Sequence, residues 1–213
     1  MPRPQCSRCQ RPLSHCLCPL IPQLASRTQL LILQHPDEVA HALNTARLAA
    51  LGLLNCELRV GEVFDDLELR KTPSVLLFPG EDAAQVDSLT RLASQPRLIV
   101  LDGTWRKARR ILHLNPALAA LPRVTLPAGL ESRYRLRKAP RPGALSTVEA
   151  ITVALNLLEG AGRFDALLRP FEALIEGQIQ AMGEAVYVRN HLRPGETEVV
   201  SEPAGCVGGV YRG

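Results

Sequence analysis

The sequence L-I-V-L-D-G-T-W at residues 98–105 joins an apolar run to a polar segment that ends in the only tryptophan of the chain. The apolar run predicts a buried β-strand, and the residues after it predict a helix over Trp105–His113. Ligands of α/β proteins bind at the carboxyl ends of strands. Structurally, Thr104 suits a helix N-cap, Asp102 complements the helix dipole, and Trp105 is in register with a core-facing stripe. The functional interpretation, which the nearby basic segments favour, gives Asp102 a polar role at a buried site and lets Trp105 stack a base or shape the pocket.

Four cations follow this segment directly, at Arg106, Lys107, Arg109 and Arg110. The N-terminal turn of a helix carries partial positive charge, so cations there oppose the local field. This arrangement predicts that the protein binds an external polyanion. A second basic segment, residues 133–138, alternates charge with Tyr and Leu, which suits a loop that contacts phosphate. A solvated charged face is the alternative interpretation of that second segment.

The rest of the chain alternates apolar runs with amphipathic segments. Strands are predicted at residues 29–33, 55–60, 74–78, 98–101 and 123–126, and helices at 37–51, 83–93, 105–113, 146–158 and 164–182. Strands that alternate with helices predict an α/β fold with a mostly parallel sheet flanked by helices. We expect a small metal-binding module at residues 1–24, a catalytic α/β domain at 25–182 and a loose tail or edge strand at 183–213.

Composition supports one globular domain with a small appendage. The chain has 213 residues, of which 46% are hydrophobic and 22% charged. Its net charge of +4 does not by itself indicate nucleic-acid binding. The crowding of Arg and Lys between residues 106 and 141 is more informative. No apolar run reaches membrane-spanning length and no signal-peptide core is present, so we expect a cytoplasmic protein without membrane association.

Four of the six cysteines lie within the first 18 residues, in the pattern Cys6-x2-Cys9-x6-Cys16-x-Cys18. Four thiolates complete a tetrahedral zinc shell, which would replace the hydrophobic core that this segment lacks. The pattern predicts a structural zinc site. Iron–sulfur ligation stays open, as does replacement of one cysteine by His15. Free thiols in a mobile N-terminus are the remaining alternative.

Two further segments have both a structural and a functional interpretation. His35-Pro36-x-Glu38 follows the first predicted strand, and its residues suit the start of a helix. With Asn44 and Arg47, His35 is nevertheless a candidate for RNA or substrate contact. The Ser-x-x-Glu pattern at Ser146–Glu149 suits a capping box. The same helix start could bind a ligand carboxylate through its free N–H groups.

Taken together, these segments resemble the DTW-domain family. The matching pieces are, in chain order, the N-terminal cysteines, His35-Pro36-x-Glu38, Asn44-Thr45-x-Arg47-Leu48, Leu101-Asp102-Gly103-Thr104-Trp105, Tyr134-x-Leu136-Arg137-Lys138 and Leu145-Ser146-Thr147-x-Glu149-Ala150. Each piece alone is weak evidence, but their order and joint presence are specific. The resemblance extends to about residue 160 and does not include the tail.

The resemblance implies a tRNA-uridine aminocarboxypropyltransferase. Such enzymes move the 3-amino-3-carboxypropyl group of S-adenosylmethionine to N3 of uridine, at position 47 of tRNA in bacterial members, and release methylthioadenosine. It also implies a SPOUT-like fold, in which a deep trefoil knot binds S-adenosylmethionine. Knots are rare exceptions to ordinary chain topology, and periodicity alone does not predict one.

The resemblance also implies roles for individual residues. Asp102 would act as general base or hold the amino group of the donor, Thr104 would position a substrate, and Trp105 would stack on a base or line the pocket. The donor is expected to contact Phe78, Pro79, Gly80, Leu101, Gly103, Leu145, Ser146, Thr147 and Glu149. The tRNA is expected to contact His35, Asn44, Arg47, Arg106, Arg110, Arg135, Arg137 and Lys138.

Two alternatives from other functional classes stay open at this point. A SPOUT-like RNA methyltransferase would use the same cofactor, and a non-catalytic zinc-ribbon protein would explain the cysteines and the basic loop. No catalytic metal is expected, because the leaving group of S-adenosylmethionine is already charged. The sequence leaves the oligomeric state open between monomer and homodimer.

Overall fold

A computed structural model describes residues 4–134, 136 and 144–191, and these residues form a parallel sheet between two layers of helices. The strands are β1 (Leu30–Gln34), β2 (Cys56–Val60), β3 (Ser74–Leu77), β4 (Ala84–Gln85), β5 (Arg97–Asp102) and β6 (Arg123–Thr125). The α-helices are α1 (Thr45–Gly52), α2 (Asp66–Arg70), α3 (Trp105–Leu114), α4 (Pro116–Ala119), α5 (Thr147–Glu159), α6 (Leu168–Met182) and α7 (Glu184–His191). The strand order is β2-β1-β5-β3-β6-β4, and each neighbouring pair is parallel.

The two central strands, β1 and β5, are apolar along most of their length because helices cover both faces of the sheet. Every residue of β1 is buried. The faces alternate along each strand: Leu30 and Ile32 pack with α1, α5 and α6, whereas Leu31 and Leu33 pack with α2, α3 and α4. The α/β class predicted from the sequence is therefore confirmed.

The register of β1 and β5 determines where the polar residues of the two strands meet. Gln34, the last residue of β1, lies directly opposite Asp102, the last residue of β5. Parallel strands bring their carboxyl ends to the same edge of the sheet. The two buried polar side chains are thus neighbours at the edge where α/β proteins bind ligands.

Two predicted helices were wrong. The helix predicted over 37–51 is a 3-10 turn at Pro36–Glu38 followed by α1, which begins only at Thr45. The helix predicted over 83–93 consists of the short strand β4, paired with β6, and a 3-10 helix at Val86–Arg91. In both places tertiary pairing or capping overrides an amphipathic pattern.

The chain beyond residue 182 also differs from the expected loose tail where it is described. Glu184–His191 form helix α7, and Tyr187 in that helix is buried in the main hydrophobic core. The short helices α2 and α4 were not predicted. Within the described residues, no helix has both the length and the apolar character needed to cross a membrane.

The cysteine-rich segment packs against the α/β domain. Cys9, Leu17 and Ile21 are buried in the core formed with α1, α5 and α6. The guanidinium of Arg47 in α1 donates hydrogen bonds from Nε and Nη2 to the carbonyl oxygen of Arg8, at 3.2 and 3.1 Å. The cysteine-rich segment thus shares the core of the α/β domain. The knotted topology implied by the family resemblance stays a prediction.

Candidate active site

A cavity of about 800 Å³ opens at the carboxyl ends of β3, β5 and β6. This volume lies within the usual range for small-molecule sites. Its wall combines apolar side chains with the charged residues Glu38, Asp102 and Lys107. The starts of α3 and α5 also contribute, through Trp105 and Thr147. The cavity therefore gathers polar groups from several elements around one concave, partly apolar space.

Asp102 is the most deeply buried charged group that lines this cavity, with 7% of its surface exposed. Its Oδ2 accepts a hydrogen bond from Gln34 Nε2 at 2.7 Å, and its Oδ1 accepts one from Thr147 Oγ1 at 2.5 Å. Burial raises the pKa of Asp102, against the effect of these two donors, which lower it. Glu38 also raises the pKa of Asp102, and His41 lowers it. The carboxylate is fixed in orientation and its protonation energy is perturbed, as in many catalytic groups.

Gln34 is a site residue that the sequence analysis missed. Its side chain is 1% exposed, and the amide nitrogen donates both to Asp102 and to Asn44 Oδ1, the latter at 3.1 Å. The only signal in the sequence is a glutamine at the end of an otherwise apolar strand. Its partner could not be identified without the register between β1 and β5.

Gly103 and Thr104 form the sharp connection between β5 and α3. Gly103 has φ +154°, a backbone conformation that favours glycine, and a Cβ there would approach Cβ of Lys107 to 3.1 Å. Thr104 caps α3 by accepting a hydrogen bond from the backbone N–H of Lys107 at 3.3 Å. Both residues line the cavity, so the turn serves helix initiation and cavity shape together.

Trp105 lies at the cavity, not in the core, and 38% of its surface is exposed. Its ring meets Phe78 edge-to-face, with the ring centroids 5.5 Å apart. The guanidinium of Arg123 lies over the other aromatic ring, 5.8 Å from the centroid of Phe78. Such a partly exposed aromatic pair is the kind of surface on which a base stacks.

The start of α5 supplies polar groups to two different places. Leu145, Ser146 and Thr147 line the cavity, and Thr147 binds Asp102 as described above. The Glu149 carboxylate, which is 4% exposed, instead accepts hydrogen bonds from the backbone N–H groups of Ser146 at 2.8 Å and Arg133 at 2.6 Å. Glu149 thereby completes the predicted capping box and holds the loop at residues 131–134 against the helix.

Of the other positions predicted to bind the donor, all but one line the cavity. Phe78, Pro79, Leu101 and Gly103 line the cavity. Gly80 is outside this lining, and the Arg123 side chain occupies the space beside it, 3.0 Å from where a Cβ would lie. The absence of a side chain at Gly80 thus admits Arg123, which packs on Phe78.

The three residues predicted from the His-Pro-x-Glu region form internal contacts. His35 is buried, with Nε2 2.7 Å from Glu62 Oε1, while its Nδ1 accepts from the backbone N–H of Asp37. Asn44 caps α1 by accepting from the N–H of Arg47, and Arg47 binds the cysteine-rich segment. A role in contacting RNA stays a prediction for all three.

The cations of α3 fall into two groups. Lys107 pairs with Glu38 at 2.9 Å, and Arg110 pairs with Glu62 at 2.7 Å. Arg106 and Arg109 are exposed and form no ion pair with the part of the chain that the structure describes. The predicted RNA-binding residues Arg135, Arg137 and Lys138 lie outside the described residues. Glu38 and Glu62 thus already supply counter-charges to Lys107 and Arg110. Binding of an external polyanion by α3 stays a prediction.

The four N-terminal cysteines converge on one point. Their sulfur atoms lie within 4.8 Å of one another, with Cys6 and Cys18 3.6 Å apart and Cys9 and Cys16 3.8 Å apart. A tetrahedral shell with Zn–S bonds of about 2.3 Å separates its sulfurs by about 3.8 Å. Backbone N–H groups of Cys9 and Arg8 lower the pKa of Cys6 to about 6, whereas burial and the neighbouring thiols raise the pKa of Cys18 to about 12. A metal ion binds cysteine as the thiolate, so its binding would release the protons that these thiols hold. The donor set therefore fits one tetrahedral metal ion.

Comparison with known proteins gives a consistent result. The DTW domain family matches residues 3–179. The chain is 36% identical over 204 residues to tRNA-uridine aminocarboxypropyltransferase 2 of Macaca fascicularis, covering 89% of this chain and 68% of that protein. It is 34% identical over 211 residues to tRNA-uridine aminocarboxypropyltransferase 2 of Mus musculus, covering 90% and 71%.

A plant relative extends this similarity. The chain is 29% identical over 193 residues to tRNA-uridine aminocarboxypropyltransferase A of Arabidopsis thaliana, covering 74% of this chain and 73% of that protein. No solved structure matches the chain. The family match covers the cysteine cluster, the cavity and most of the core. The chain therefore belongs to the DTW domain family.

Proposed function

We propose that this protein transfers the 3-amino-3-carboxypropyl group of S-adenosylmethionine to N3 of a tRNA uridine, at position 47. The observation that carries the proposal is the buried, doubly hydrogen-bonded carboxylate of Asp102 in the cavity. Relatives from animals and a plant bear the name of this activity. We place the reaction in the cytoplasm.

The cavity residues fit the donor in size and chemistry. The aromatic and apolar wall at Phe78, Pro79 and Leu145 suits a nucleoside, and the acidic groups Glu38 and Asp102 suit cations. When bound, S-adenosylmethionine supplies an electrophilic γ-carbon and a sulfonium leaving group. Because three carbons flank the sulfonium, the residues that orient the donor decide which one reacts.

The reaction balances without a further reactant. Uridine N3 forms a bond to the γ-carbon, the bond from that carbon to sulfur breaks, and its electron pair stays on sulfur as neutral methylthioadenosine. The N3 proton must leave, and a positioned carboxylate with a raised pKa is suited to accept it. Asp102 acts in this role or holds the donor amino group; Thr104 orients a substrate, and Trp105 stacks on a base.

On the RNA side, we propose that Arg106 and Arg109 contact tRNA phosphates, together with Arg135, Arg137 and Lys138. The guanidinium of Arg110 is already paired with Glu62, so Arg110 contributes less to phosphate binding. The zinc ion has a structural role, since the cysteine cluster packs into the core and is not among the residues that line the cavity.

Isotope transfer tests the proposal directly. Unmodified tRNA is incubated with the protein and with donor labelled either in the methyl group or in the carboxypropyl chain, and nucleosides are then analysed by mass spectrometry. We expect label in uridine from the chain-labelled donor alone. Label from the methyl group alone would show the methyltransferase alternative to be correct. An absence of transfer together with an absence of donor binding would support the RNA-binding alternative.

A further inference from the structure

Among the described residues that line the cavity, carboxylates outnumber lysine and arginine side chains. Glu38 and Asp102 contribute two carboxylates, whereas Lys107 is the only lysine or arginine among the described residues that line the cavity. His41 also lines it but lies at an exposed position. Within the described lining, Lys107 is therefore the one fixed cation that an anionic group of a bound ligand can contact.

Lys107 is held in place along its whole length. Its aliphatic chain crosses Gly103, with Cβ and Cδ 3.1 and 3.7 Å from where a glycine Cβ would lie. Its Nζ lies 2.9 Å from Glu38 Oε1 and 3.4 Å from Asp37 Oδ2. The side chain is only 19% exposed. An ammonium group donates three hydrogen bonds, so two carboxylate partners leave one donor for a ligand.

We propose that Lys107 binds the α-carboxylate of the donor's aminocarboxypropyl chain and selects donors that carry this group. The inference rests on the proposed function. S-adenosylmethionine carries two cationic groups and one carboxylate. The cavity offers the complementary set, with carboxylates at Glu38 and Asp102 and one ammonium at Lys107. Binding the carboxylate would fix the chain whose γ-carbon reacts, which is what selects this product over methyl transfer.

A purely structural role for Lys107 makes a different prediction. The Glu38–Lys107 pair joins α3 to the 3-10 turn at Pro36–Glu38, so its loss could loosen the cavity as a whole. In that case all ligands would lose affinity in parallel. A direct role removes affinity only from ligands that carry the carboxylate.

Calorimetric titration without tRNA separates these roles. S-adenosylhomocysteine carries the amino-acid chain and methylthioadenosine lacks it. For Lys107→Met, we expect the affinity for S-adenosylhomocysteine to fall about ten- to a hundredfold, as for loss of one charged hydrogen bond, with little change for methylthioadenosine. Arg91→Met, at an exposed position outside the cavity, is the matched control. A parallel loss for both ligands, or no loss, would overturn the inference.

A second measurement compares two donors that differ only in the carboxylate. Decarboxylated S-adenosylmethionine should bind the wild type about tenfold or more weakly than S-adenosylmethionine, and Lys107→Met should abolish this difference. Equal binding of the two donors by the wild type would contradict a carboxylate contact. The proposed function fails separately, if the wild type transfers no aminocarboxypropyl group to tRNA. A wild type that transfers the group, beside a Lys107→Met variant with unchanged donor affinity, refutes this inference alone.

Discussion

The side-chain amide of Gln34 donates a hydrogen bond of 2.7 Å from Nε2 to Oδ2 of Asp102. The two residues end adjacent parallel strands and lie opposite each other in the register. The second amide proton of Gln34 is directed at Asn44 Oδ1, the cap of α1. The orientation of the Asp102 carboxylate is therefore tied to the backbone of the sheet and to the start of a neighbouring helix.

Gln34→Met should move the acidic limb of the pH dependence of kcat/KM upward by about one pH unit, since a hydrogen bond to a charged group contributes about 1.5–3 kcal/mol. The Gln34 donor lowers the pKa of Asp102, so its loss raises that pKa further. Glu38, which raises the pKa, and His41, which lowers it, are retained. In either proposed role Asp102 works as the ionised form.

The control for this pH profile is Gln29→Met, at an exposed position next to β1. It should leave the acidic limb in place. A Gln34→Met variant with reduced kcat but an unmoved limb would mean that Gln34 serves packing and does not act through Asp102.

Asp102→Asn should reduce the rate of transfer at least about a hundredfold. The same substitution should make the fold more stable at neutral pH. Burial raises the pKa of Asp102 in the folded state. A raised carboxyl pKa contributes stability below the unfolded value and loses it as pH rises through the folded value. Thermal melts at pH 4 and pH 8 measure this. The difference in melting temperature between Asp102→Asn and the wild type should increase by a few degrees from pH 4 to pH 8.

Binding of unmodified tRNA completes that test. Asn keeps an oxygen for Gln34 and an amide for Thr147, so tRNA affinity should match the wild type. Retained turnover would remove Asp102 from the chemistry. The melting temperature of Asp102→Asn minus that of the wild type should be larger at pH 8 than at pH 4. A smaller difference at pH 8 would contradict the raised pKa.

Local patterns predicted those parts of the fold and site that depend on neighbouring residues in sequence. The buried strands, the Thr104 cap and the cysteine cluster all follow from short spacings. Glu149 shows the limit: its pairing with Ser146 is local and was predicted, but its bond to the backbone of Arg133 depends on how a distant loop packs. Gln34 is a similar case, because its partner is set by strand register.

The cations of α3 show the same limit for charge. The sequence alone treats Arg106, Lys107, Arg109 and Arg110 as equivalent. The fold brings Glu38 next to Lys107 and Glu62 next to Arg110. Partners supplied from other elements cannot be deduced from a charge run, so the structure was needed to show which of these cations are already paired.

One zinc ion per chain is expected by elemental analysis, and Cys16→Ser should abolish it. Because Cys9, Leu17 and Ile21 belong to the main core, metal loss should also lower the melting temperature of the whole domain. Cys56→Ser is the control, since Cys56 is outside the cluster and should keep full zinc content. Iron with visible absorbance, or a metal-free protein, would refute the zinc assignment.

Arg106 and Arg109, the two arginines of α3 without an ion-pair partner among the described residues, should dominate the electrostatic part of tRNA binding. Replacing Arg106 and Arg109 together by Gln should reduce the slope of log affinity against log salt concentration by about two, one per lost phosphate contact. Arg110→Gln should change the slope less, because Glu62 already offsets its charge. Arg91→Gln, an exposed arginine outside the cavity lining, controls for general loss of charge. Equal slopes for the Arg91 and the Arg106/Arg109 variants would mean that tRNA binds another surface. A loss for Arg110→Gln as large as for either neighbour would mean that tRNA displaces Glu62 from its guanidinium.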